Sequence, residues 1–185
     1  MLNVVSYSGG PKGIDVPIRK FQEKLHGLLL TAWGIETALY QSYARCYRNK
    51  KGTGYVAEVY TGSNEYKEVY WNDSFNAISF FGIGNTISHE KIETVDVHLV
   101  FFVNLEKLKP ALTNRGDEEV RLDVLNAVQT NNFGFRYTGV ELGIENVLKE
   151  YPGSYRDGRL NAVDMHPVHC FRLNFSLTYN KNICF

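Results

Sequence analysis

The chain offers few of the signals that usually mark a chemical function. Its 185 residues hold three cysteines, Cys46, Cys170 and Cys184, an odd number without a CxxC pair. That argues against a disulfide framework and for a reducing compartment. Net charge is missing as well, since 20 Lys and Arg balance 20 Asp and Glu, and no global field draws the chain to nucleic acid. No apolar run is long enough to span a bilayer; the longest of note centres on residues 28–30. No basic-then-apolar leader opens the sequence, so secretion is not expected and a soluble protein is. Repeats and low-complexity tracts are lacking. So are a GxSxG elbow and a Gly-Lys-Ser/Thr phosphate loop.

Aromatic residues are plentiful: 12 Tyr, 11 Phe and 2 Trp. Tyrosine suits sheets and interfaces, because its ring buries area while its hydroxyl finds a partner. With 44% apolar residues the length suits one domain, 1–185, with its own core. Charge is unevenly spread. Residues 1–60 carry eight Lys or Arg against four Asp or Glu, and residues 61–185 carry twelve against sixteen. Such asymmetry suits head-to-tail self-association.

Two stretches read as long strands. In 169–179, Phe171, Leu173, Phe175, Leu177 and Tyr179 alternate with Arg172, Asn174, Ser176 and Thr178. A period of two buries one face and leaves the other wet or facing a partner. In 95–104 the same alternation, with Asp96 and His98 opposite, gives way to Val100 and Phe102, which make both faces apolar. Near the start, Asp15 can cap a helix with Pro17 in its first turn and a stripe of Ile18, Phe21, Leu25, Leu28 and Leu29. Residues 37–92 read as an insertion-like meander. Its strands at 39–47 and 55–61 flank the turn Asn49-Lys50-Lys51-Gly52-Thr53-Gly54, and 82–91 is a loop. Two helices are expected later. One starts at Asp117 with Val120, Val124, Ala127 and Val128 inside. The other opens at Thr138 with capping-box spacing to Glu141 and buries Val140, Ile144, Val147 and Leu148. The sum is an α+β fold. It has a mainly antiparallel sheet, an N-terminal helix and two further helices packed on one face, plus a long hairpin extension.

Three constellations could carry chemistry. The turn Ser8-Gly9-Gly10-Pro11-Lys12-Gly13 lies between a short apolar strand and a helix, where backbone amides can cradle a phosphate. It resembles the opening of the loop of ATP pyrophosphatases, but Lys12 and Gly13 stand where Asp and Ser are expected. Asp164, His166, His169 and Cys170 gather four potential metal ligands, although His169 and Cys170 point to opposite faces of a strand. A phosphate-binding, nucleotide-binding or metal-dependent enzyme is therefore the alternative reading. Arg45, Arg48, Lys50 and Lys51, interleaved with Tyr43, Tyr47 and Tyr55, form a basic hairpin tip. It can remain solvated, face an acidic surface on a neighbouring subunit, or touch a phosphate backbone.

The order of elements resembles the tail-terminator and neck proteins of tailed bacteriophages. The nearest echoes are Glu93 to Leu105 followed by the helix from Asp117, and His166 to Phe175. The pattern is similar to that of the neck ring proteins of crAss-like phages. The resemblance implies a non-enzymatic structural subunit of the virion, made in the host cytoplasm and needing no cofactor. It also implies a homo-oligomeric ring beside portal, neck or tail proteins, non-specific DNA contact in a channel, and no membrane. Interface residues would include Arg45, Tyr47, Arg48, Lys50, Lys51, Tyr55 and Arg172.

Overall fold

A computed structural model describes residues 4–5, 10–62, 64–111, 116–130, 133–156 and 165–181. In chain order the elements are β1 (Val4–Val5), α1 (Asp15–Trp33), a 3-10 turn (Thr37–Leu39), β2 (Tyr40–Arg45), β3 (Tyr47–Lys51), β4 (Gly54–Gly62) and β5 (Glu65–Glu68). There follow β6 (Ala77–His89), β7 (Ile92–Asn104), α2 (Leu105–Leu108), α3 (Asp117–Thr130), β8 (Phe135–Leu142), α4 (Ile144–Val147), α5 (Gly153–Arg156) and β9 (Val168–Asn180). The fold is α+β. One sheet has six strands in the order β1-β2-β6-β7-β9-β8, and a second has three in the order β3-β4-β5. β1, β2 and β6 run parallel; every other pairing is antiparallel.

The large sheet lies between two covers. On one face, Phe81, Val95, Val97, Leu99, Phe101, Phe171, Leu173, Phe175 and Leu177 pack against α1 and α3. The helix α1 supplies Ile18, Phe21, Leu25, Leu29 and Trp33, and α3 supplies Val120, Val124, Ala127 and Val128. On the other face, Ile78, Phe80, Val100, Phe102 and Cys170 meet Cys46, Ala57, Val59 and Val69 of the small sheet and its flanks, with Val147, Leu148 and Tyr151. This second cover explains why β7 is apolar on both faces only in its latter half. The small sheet reaches that far and no farther.

Several elements differ from the sequence-based expectation. Asp15 is the first residue of α1 and does not cap it. Its carboxylate instead accepts two hydrogen bonds from Arg45, at 2.7 and 3.1 Å, tying the start of the helix to the end of β2. Residues 82–91 are no loop: β6 continues to His89 and turns back into β7 through Glu90 and Lys91, with Glu90 at φ 40°. This half of β6 stands beyond the core, so its residues carry no apolar alternation to reveal a strand. The helix expected from Thr138 is mainly β8, followed by the single turn α4. Gly143, at φ 81°, separates the two, and the stripe of Val140, Ile144, Val147 and Leu148 spans both. The two further helices that join α1 on the helical face are α3 and the short α2, through Leu105 and Leu108, while α4 lies on the opposite face.

The meander also divides. The ends of 37–92 are β2 and β6, both integral to the large sheet, and the small sheet alone lies between them. The hairpin turn tightens to Gly52 and Thr53, since Lys51 already pairs with Gly54. Its first strand breaks at Cys46, whose N–H donates to the carbonyl of Phe81 at 2.7 Å.

Candidate functional site

A polar cleft of about 730 Å³ opens where the second cover ends. Strand register builds it. Across the sheet, Phe80, Val100, Arg172 and Glu141 form one row, and Gly82, His98, Asn174 and Gly139 form the next. A third row holds Asp96, Ser176 and Arg136. The first row begins apolar beneath the small sheet and becomes charged where that sheet stops. Arg48 from β3, with Lys149 and Glu150 just beyond α4, forms the rim.

The rim and floor share a chain of polar contacts. Arg172 donates through Nη1 to the carboxylate of Glu150 and through Nε to Asn174 Oδ1 at 2.7 Å. Asn174 Nδ2 donates to Glu141 Oε1 at 3.0 Å, and Lys149 Nζ reaches the same oxygen at 2.8 Å. Burial acts to raise the Glu141 pKa, but Lys149, Arg172 and Asn174 outweigh it and hold the carboxyl below its usual range. Arg48 donates to the backbone carbonyl of Glu150 at 2.8 Å and lies 3.8 Å from the centre of the Tyr55 ring. A cation over an aromatic face is held in place by the ring quadrupole.

His98 sits on the floor of this cleft with Nε2 3.2 Å from the hydroxyl of Tyr151. Which of the two donates depends on the imidazole tautomer. Burial, reinforced by the nearby charge of Arg172, pushes the His98 pKa down to about 3. Burial pushes the Tyr151 phenol up. Both groups are therefore neutral at physiological pH. The contact needs a glycine opposite, because a Cβ at Gly82 would lie 2.0 Å from His98 Nε2 and 2.3 Å from the Tyr151 oxygen.

The residues singled out from sequence do not converge on one patch. Arg172 was expected on a wet or subunit-facing strand face, yet it is only 6% exposed and is paired with Glu150. Arg48 meets the same Glu150, so these two do come together. Arg45 lies away from the tip and pairs with Asp15, its guanidinium 4.7 Å from the centre of the Tyr47 ring. Tyr47 packs edge-on against Tyr66. Lys51 pairs with Glu68 at 2.5 Å. Lys50 remains exposed, in register with Tyr55. Of the tip cations, Lys51 is paired with a carboxylate, Arg48 is held by a carbonyl and a ring, and Lys50 is exposed.

The two other constellations lie partly outside the described residues. Ser8 and Gly9 lie outside the described residues, and the turn is described from Gly10 onward. Asp164 lies outside them too. His169 stacks beside Phe171, Cys170 is buried on the opposite face, and His166 lies 3.1 Å from Glu106. Among the described residues, no group of three or more His, Cys, Asp or Glu could hold a metal ion.

The cleft itself was not foreseen. Its members come from β3, β6, β7, β8, β9 and the segment after α4, and a single sequence gives no sign that these meet. The one available signal was the run of unlike residues, Asp96 and His98, on the polar side of an otherwise apolar strand. Compared with models of known protein families the chain matches none, and no curated protein sequence matches it significantly.

Proposed function

We propose that the chain is a non-enzymatic structural subunit that assembles with copies of itself into a ring at the neck or tail top of a bacteriophage particle. The order of its elements first suggested that reading. One structural observation supports it most: apolar side chains stand exposed at the far end of the β6–β7 hairpin. Ile87 is 58% exposed and Ile92 is 50% exposed, and the register makes them diagonal neighbours on one face. Paired exposed aliphatics at a projecting tip suit insertion against another subunit. The cleft fits this reading as an internal brace, since Arg172 pairs with Glu150 and Lys149 with Glu141, and its histidine and tyrosine are uncharged.

Native mass measurement of the purified chain, with electron microscopy of the same sample, tests the proposal. The expected result is a closed oligomer of one defined subunit number. A chain that stays a single subunit, both alone and with neighbouring virion proteins, would overturn it. Stoichiometric bound metal or micromolar nucleotide affinity would speak for the enzymatic alternative.

A further inference from the structure

We propose that a second copy of the chain pairs with the outer edge of β8, antiparallel, about a two-fold axis passing beside Gly139. The inference goes beyond the ring. A two-fold contact closes on itself, so it joins subunits in pairs and cannot generate a ring alone.

β8 is the last strand of the large sheet, and among the described residues nothing pairs with its outer side. An open edge of eight residues is a template for another strand, and lysine, proline, a bulge or a cover can blunt it. β8 has no lysine or proline, carries one register shift between Tyr137 and Gly139, and leaves Tyr137 41% and Leu142 46% exposed.

Register with β9 assigns the two faces. Phe135, Tyr137, Val140 and Leu142 lie beside Leu177, Phe175, Leu173 and Phe171 on the helical face. Arg136, Gly139 and Glu141 lie beside Ser176, Asn174 and Arg172 on the other. The register shift between Tyr137 and Gly139 makes this possible, because the extra residue, Thr138, brings Arg136 and Glu141 onto the same face.

With Gly139 facing the partner's Gly139, the strand is complementary to itself. Tyr137 then opposes the partner's Val140, and Phe135 opposes the partner's Leu142. On the other face Arg136 opposes the partner's Glu141, once on each side of the axis. Apolar residues meet apolar ones and cation meets carboxylate along the whole strand. Sliding the ladder by two residues shortens it and sets each charge against a glycine, while sliding by one exchanges the faces. Arg136 is exposed and has no partner among the described residues of its own chain. A Cβ built at Gly139 meets nothing within 4 Å, so the strands can approach there and a side chain can be introduced.

The test uses the full chain with Cys184→Ser, leaving Cys46 and Cys170, both buried. Sedimentation should find a concentration-dependent dimer, or dimers within a larger assembly. Under mild oxidation Gly139→Cys should convert most of the chain to a disulfide-linked dimer, whereas Asn126→Cys, exposed on α3, should not. Arg136→Glu, which sets carboxylate against carboxylate at both symmetric positions, should weaken self-association about tenfold. A chain monomeric at about 200 µM overturns the proposal. So does an oligomer in which Gly139→Cys cross-links no better than Asn126→Cys. A ring without this cross-link would refute the edge contact alone, and a cross-linked dimer without a ring would refute the ring alone.

Discussion

At the scale of single residues, the contact between His98 and Tyr151 exists because β6 presents no side chain opposite it. Burial has a thermodynamic consequence. The unfolded chain protonates this histidine near its ordinary value of 6.5, and the folded chain does so only near about 3. A depressed folded pKa makes the contribution to stability fully present above the unfolded value and lost as pH falls toward the folded one. The charged groups that act on His98 are Arg172, Glu141 and Lys149. His98→Gln removes the effect. Denaturant melts of the wild type should therefore lose about 1.5 kcal/mol more than the variant between pH 6.5 and about pH 5. Parallel curves would show that His98 takes up its proton in the folded chain. His26, also lowered by burial, is common to both proteins and cancels in the difference.

At the scale of elements, the small sheet is docked through two glycines. A Cβ at Gly54, where β4 begins, would fall 2.7 Å from the Cα of Gly153, and one at Gly153 would fall 2.8 Å from the carbonyl of Tyr55. Backbone meets backbone there, and neither side can yield as a flexible side chain would. Gly54→Ala should cost about 1–3 kcal/mol in urea unfolding. Thr53→Ala, one residue away in the exposed turn, should stay within about 0.5 kcal/mol. Equal losses at both positions would mean that the docking is loose.

Elements were legible where burial alternates with a single period. β9, α1 and α3 each bury one main stripe, β7 adds a second in its latter half, and each is where the sequence placed it. β8 and α4 were merged into one helix because residues from two elements happened to share helical spacing. The outer half of β6 was lost because no core dictates its composition. The cleft was illegible for a third reason. It is made by register, and register is a relation between distant strands that no local pattern carries.

At the scale of the whole molecule, the surplus of positive charge in residues 1–60 survives ion pairing. Arg45 pairs with Asp15 and Arg19 with Glu23, acids already counted within that stretch, and only Lys51 draws on a carboxylate outside it, Glu68. Exposed pairs contribute little to stability. The exposed aliphatics Ile87 and Ile92 supply the apolar contact that the proposed ring needs. Light scattering should find the assembled mass reduced by Ile87→Asp and unchanged by Lys50→Glu, a single exposed charge. The opposite order of effects would restore electrostatic attraction between subunits as the driving term.

The parallel pairing of β2 with β6 also has a consequence in time. Antiparallel β6 and β7 are joined by a two-residue turn, so their ladder can zip within one local stretch of chain. β2 can reach β6 only after residues 46–76 have crossed over, and here three strands make the crossing where a helix is customary. The seam between the two halves should thus be the late, slow step of folding. Until it closes, β6 is itself an open edge, and a growing chain is most exposed to wrong partners during that interval.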